Sequence, residues 1–120
     1  GYTPAMTASD EVVFKVSGDA VAELKPYPSP FDPKKNPLTI RYTLAEEGQV
    51  TINIFDMAQQ LVATVTKNET RSNGLNQSDT WDGKDYAGKA QANGVYILEI
   101  TVKDSTGEHR TYKPVAILSK

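Results

Sequence analysis

The chain has 120 residues, no cysteine, a single histidine and a formal charge of −2. This length suits one domain, or one domain with a short appendage, large enough to bury a core without covalent staples. The composition excludes a disulfide framework, a thiolate nucleophile, a Cys-built metal site and a multi-His metal centre. The charge balance argues against a nucleic-acid surface, and no apolar run approaches the ~18 residues of a membrane span. The opening Gly1-Tyr2-Thr3-Pro4 shows neither an initiator Met nor a signal peptide, so a processed piece of a larger protein is expected.

In chain order, Gly1 to Ala8 reads as a loose end, and Val12, Phe14 and Val16 alternate as an early strand. Val21 and Leu24 belong to a second strand or to the lead-in of a proline cluster. Pro26, Pro28, Pro30, Pro33 and Pro37 remove five backbone donors, which bars Lys25 to Leu38 from a central strand. Residues 1–25 are therefore expected to be an N-terminal strand, or the end of a preceding domain, plus a linker, with the main domain at 26–120.

Three segments then alternate with period two. Leu38, Ile40, Tyr42 and Leu44 form the first, Val50, Ile52 and Ile54 the second, and Tyr96, Leu98, Ile100 and Val102 the third. Each places apolar side chains on one face and polar ones on the other, as in an antiparallel sheet with one dry side. Ala45-Glu46-Glu47-Gly48 is a hairpin-length turn, and Leu61, Ala63 and Val65 start a strand after a turn at Met57–Gln60. Lys67 to Asn76 reads as a polar loop, Ser78 to Trp81 as a short strand, and Tyr112 to Leu118 as a strand in which Pro114 demands an edge or a bulge. Asp82-Gly83, Gly88, Asn93-Gly94 and Ser105-Thr106-Gly107 mark turns. The pattern predicts an all-β, Ig/fibronectin III-like antiparallel β-sandwich of about seven strands.

Tyr27-Pro28-Ser29-Pro30-Phe31-Asp32-Pro33 resembles the Tyr-Pro-Asn-Pro-Phe-Asn-Pro opening of Ig-like domains found at the C-termini of bacterial secreted and surface proteins. The resemblance continues through Leu38–Leu44, Val50–Asp56, Trp81–Lys89 and Ala92–Tyr96. It ends at Lys113–Lys120, which is similar to the basic-then-apolar terminal strand of type IX secretion sorting domains. The sandwich is also similar to the Ig-like domain of the flagellar hook-capping protein. Two positions depart from the pattern: Gln59 stands where the family often has Gly, and Pro114 interrupts a strand that usually keeps its N–H groups.

The resemblance implies a non-catalytic module of a larger secreted or surface protein, located outside the cell after passage through the periplasm and acting in outer-membrane export and surface attachment. Secretion machinery or neighbouring domains would be its partners. A partner pairing with the edge strand would be recognised through Lys113, Val115, Ile117, Leu118 and Lys120. Alternative readings are a structural assembly module, as in a cap or stalk, and an accessory carbohydrate-binding module.

The remaining chemistry-bearing residues have plain structural uses. Asp79, Asp82 and Asp85 could offer oxygen ligands to Ca²⁺, but they lack EF-hand spacing and a closing Glu, and Asp82-Gly83 suits an Asx-type turn. Trp81 fits a core plug better than a sugar platform. Tyr27 and Tyr86 are expected to pack on strand ends, and Asp32 to Pro37 to form a solvated loop rather than a charged contact. His109 reads as a solvated turn residue without a companion nucleophile or ligand. Asn68-Glu69-Thr70 and Asn76-Gln77-Ser78 fit the N-glycosylation pattern by chance. No cofactor is expected.

Overall fold

The computed structural model describes residues 20–120. The early alternation at Val12, Phe14 and Val16 and the loose end at Gly1 to Ala8 lie outside the described residues. Among those described, seven strands form two antiparallel sheets: β1 (Val21–Tyr27), β2 (Leu38–Leu44), β3 (Gly48–Phe55), β4 (Leu61–Arg71), β5 (Gly74–Trp81), β6 (Gly94–Asp104) and β7 (Gly107–Ile117). One sheet has the order β1-β2-β5 and the other β4-β3-β6-β7. The fold is the Ig-like sandwich that the alternation predicts.

The three cleanly alternating segments are the central strands. Leu38, Ile40 and Tyr42 on β2 are fully buried, as are Val50, Ile52 and Ile54 on β3 and Leu98, Ile100 and Val102 on β6. Across the β3–β6 pair, Val50 faces Val102, Ile52 faces Ile100 and Ile54 faces Leu98. A strand with neighbours on both sides has its backbone groups satisfied, so its side-chain pattern is set by the two faces alone. The expected boundary at 25/26 falls inside β1, whose Val21 and Leu24 join the core.

Two connections differ from expectation. The Ala45–Glu47 turn has hairpin length but carries the chain from one sheet to the other, because β2 and β3 belong to different sheets. Gly48 lies so close to β6 that a Cβ there would come within 2.9 Å of the Lys103 carbonyl oxygen. The expected polar loop at Lys67–Asn76 is instead two strand ends joined at Ser72-Asn73. Thr70 and Glu69 pair with Gln49 and Val50, so backbone pairing extends β4 where side-chain burial gives no signal. Gly74, at φ 92°, turns the chain into β5.

Candidate functional site

The terminal strand β7 forms one edge of the four-stranded sheet. Its Val115 and Ile117 are buried, whereas Lys113 and Lys120 are exposed and Leu118 is half exposed. Thus the five residues expected to meet a partner divide into two sets. Val115 and Ile117 anchor the strand in the core; Lys113, Leu118 and Lys120 remain accessible.

The edge is partly closed already. The Phe31 N–H donates to the Ala116 carbonyl at 2.9 Å, and the Leu118 N–H donates to the Phe31 carbonyl at 2.9 Å. Asn93 adds a reciprocal clamp, accepting from the Ser119 N–H at 2.8 Å and donating to its carbonyl at 3.1 Å. Because Ala116 and Leu118 direct their backbone groups away from β6, Pro114 has the same outward orientation, and its missing N–H breaks no bond to Ile97 across the ladder. An edge carrying Pro114 resists extension by another strand.

The Trp81-Asp82-Gly83 segment supports the opposite side of this clamp. Trp81 is 3% exposed, with ring centroids 5.6 Å from Phe31 and 5.8 Å from Tyr96. Its indole N–H donates to the Lys84 carbonyl at 2.9 Å. Gly83, at φ 78°, lies beneath Pro33, where an added Cβ would stand 2.8 Å from the proline Cγ. The proline cluster, the Trp-Asp-Gly turn and the terminal strand therefore converge on Phe31.

The three aspartates proposed for calcium serve separate purposes. Asp82 accepts from the Lys84 N–H, and Asp85 accepts from the N–H groups of Ala87 and Lys89. Asp79 faces the interior, accepting from Tyr42 Oη at 2.6 Å, Thr66 Oγ1 at 2.8 Å and Arg71 Nη2 at 2.7 Å. Burial opposes its charge, but the hydrogen bonds from Arg71, Tyr42 and Thr66 outweigh burial and hold the carboxyl below the usual range. Among the described residues no group of three acidic or imidazole side chains is arranged to hold a metal ion.

Other expectations are corrected. Tyr86 is 83% exposed and does not pack on a strand end; its backbone N–H, not its ring, is fixed, through the Val62 carbonyl. His109 lies within β7, paired with Val102, rather than in a solvated turn. Its side chain is largely covered, with Nε2 2.7 Å from Thr106 Oγ1 and 3.3 Å from Asp104 Oδ1. The Asp32–Pro37 loop, in contrast, is largely exposed as expected, and Asp32 holds it by accepting from the Lys34 N–H. Sequence reasoning missed the Asp79 network and the Asn93 clamp; a lone Asp within a polar strand was the available signal for the first.

Residues 29–110 match the FlgD Ig-like domain family. The chain belongs to that family. No curated protein sequence matches it. Among solved structures, the sandwich is similar to a part of dimeric latent PorU from Porphyromonas gingivalis, with 17% identity, a TM-score of 0.64 and 81% of this chain covered. It is also similar to a part of PorZ from the same organism, described as an essential bacterial surface component of the type-IX secretion system, with 20% identity, a TM-score of 0.51 and 79% of this chain covered. The chain spans 9% of the PorU chain and 11% of the PorZ chain, so the likeness is that of an Ig-like domain to one segment of a far larger protein. No helix among the described residues is long and apolar enough to cross a membrane.

Proposed function

We propose that this Ig-like domain is a non-catalytic module of a larger secreted or surface bacterial protein, acting in type IX-like export and surface attachment. The module includes β1, whose Val21 and Leu24 join its core, and it works at the cell surface after passing through the periplasm. The observation that carries this reading is the construction of the β7 end. Lys113 on β7 and Leu118 and Lys120 just beyond it stand exposed on an end that Val115, Ile117, Phe31 and Asn93 hold in one fixed geometry. A receptor reading these side chains meets them only on a folded domain. Family membership and the likeness to segments of PorU and PorZ support the same reading.

The test is localisation of the parent protein in a bacterium with a type IX system. Deleting Lys113–Lys120 removes core residues as well as the exposed ones and should leave the protein in the periplasm. The double substitution Lys113→Glu and Lys120→Glu keeps the core and should retain the protein as well. Unchanged secretion of both variants refutes the proposal. Family membership also favours a second reading, an assembly module in a cap or stalk, for which light scattering of the purified chain should show oligomers; a strict monomer counts against it.

A further inference from the structure

A groove of about 690 Å³ lies between the edge strands β1 and β7, where the two sheets part. Leu24, Pro26 and Pro114 give its lining apolar surface. Lys25, Arg41 and Lys113 line it as well, with Glu23 as the one carboxylate. The Glu23 side chain instead accepts from Thr43 Oγ1 at 3.3 Å. Among the described residues, none of the three cations makes an ion pair.

Two placements of charge stand out. Lys25 and Arg41 are directly opposed across the β1–β2 ladder, and like charges in that relation destabilise a sheet. Lys113 alternates with Val115 and Ile117, and so shares their face of β7 at a point where that face is open to solvent. An inward-pointing charge and a proline on each strand are ordinary guards against edge-to-edge aggregation. Such guarding accounts for Lys113, Pro26 and Pro114. It does not account for Arg41, which lies on the central strand β2 beside a like charge.

We propose that this groove binds an acidic extended peptide segment of a partner protein, with carboxylates meeting Lys25, Arg41 and Lys113 and aliphatic side chains resting on Leu24, Pro26 and Pro114. Three cations and three apolar side chains lining one groove match alternating acidic and aliphatic residues, and the two prolines direct the ligand to side-chain contacts rather than to strand addition. The site shares Lys113 with the export reading but does not rest on it, and it is assayed separately, by binding to the purified chain.

The probe is a fluorescein-labelled peptide, Glu-Val-Glu-Val-Glu-Val-Glu-Val, followed by fluorescence anisotropy with the full 120-residue chain. Saturable binding is expected, weakening as salt is added. Arg41→Gln and Lys113→Gln should each weaken it about fivefold, the effect of losing one exposed charge contact at the upper end of its range. Lys103→Gln, at the far end of β6, should leave it unchanged, and a Lys-Val octapeptide should not bind. Absence of saturable binding, equal weakening by Lys103→Gln, or complete competition by millimolar inorganic phosphate would each overturn the proposal. None of these results bears on the localisation of the parent protein, so the two readings fail separately.

Discussion

Replacing Asp79 with Asn tests the buried network most directly. The carboxylate receives hydrogen bonds from Tyr42 at 2.6 Å, Thr66 at 2.8 Å and Arg71 at 2.7 Å, and the residue is only 5% exposed. Removing one partner of a buried ion pair costs ~3–5 kcal/mol because the other charge is left uncompensated. The Arg71 side chain is 22% exposed and can turn towards water, which places Asp79→Asn near the low end, about 3 kcal/mol. For a domain of this size that corresponds to a fall of roughly 12–24 °C in melting midpoint.

The pH dependence follows from the same contacts. The folded Asp79 carboxyl lies below its unfolded value of about 3.9, so its stabilisation is fully present above that value and disappears as pH falls through the folded pKa. Wild type and Asp79→Asn should therefore differ most near neutrality and converge in acid. At the other extreme, burial and the hydrogen bond to Asp79 raise the Tyr42 phenol above its usual value of about 10. Its contribution is complete below that value and is lost as pH rises through the raised one. Urea melts followed by Trp81 fluorescence from pH 2 to pH 7, on the order of one unit apart, measure both the gap and its closure. A gap below about 1 kcal/mol at pH 7, or one that persists unchanged into acid, refutes the network's role.

Three further outcomes are expected. Gly83→Ala combines a positive φ of 78° with a Cβ placed 2.8 Å from Pro33 Cγ, and should destabilise by about 2–4 kcal/mol in a urea melt; a neutral result would show that the Pro33 loop yields freely. Gln59→Gly relieves a non-glycine residue at φ 67° and should gain roughly 0.5 kcal/mol after the extra chain entropy of glycine, whereas a loss in the same melt would show that the side chain compensates its backbone. Pro114→Val restores an outward N–H on the β7 edge and should change stability by less than about 0.5 kcal/mol while raising the apparent mass in light scattering at high concentration; no added association removes the guarding role assigned to Pro114.

What could be read from the residues follows the sheet order. β2, β3 and β6 have partners on both sides, bury one complete face, and so announce themselves by strict alternation. β4 and β5 are edges with long exposed stretches; their pairing rests on backbone groups that leave no trace in side-chain hydrophobicity, which is why Lys67–Asn76 resembled a loop. Gln59 was conspicuous as a departure from the glycine of related domains, and its positive φ shows that the turn geometry is kept while the residue differs. Asp56 secures that turn by accepting from the N–H groups of Ala58 and Gln60. For the candidate site, the basic and apolar residues of β7 were visible, but their division into buried anchors and exposed contacts depends on which way the strand faces. The groove between β1 and β7 was invisible because it joins residues from opposite ends of the chain.

The stitch between Phe31 and β7 also sets an order of events. It joins Phe31 to Ala116 and Leu118 and so encloses most of the described chain, and loop-closure entropy grows with the length of chain enclosed. The seam between β1 and β7 is therefore expected to zip last, after the β3–β6 pair has condensed, so a partially folded domain presents this cationic groove ajar, and a binding protein that wedges there would arrest maturation rather than unravel a finished sandwich.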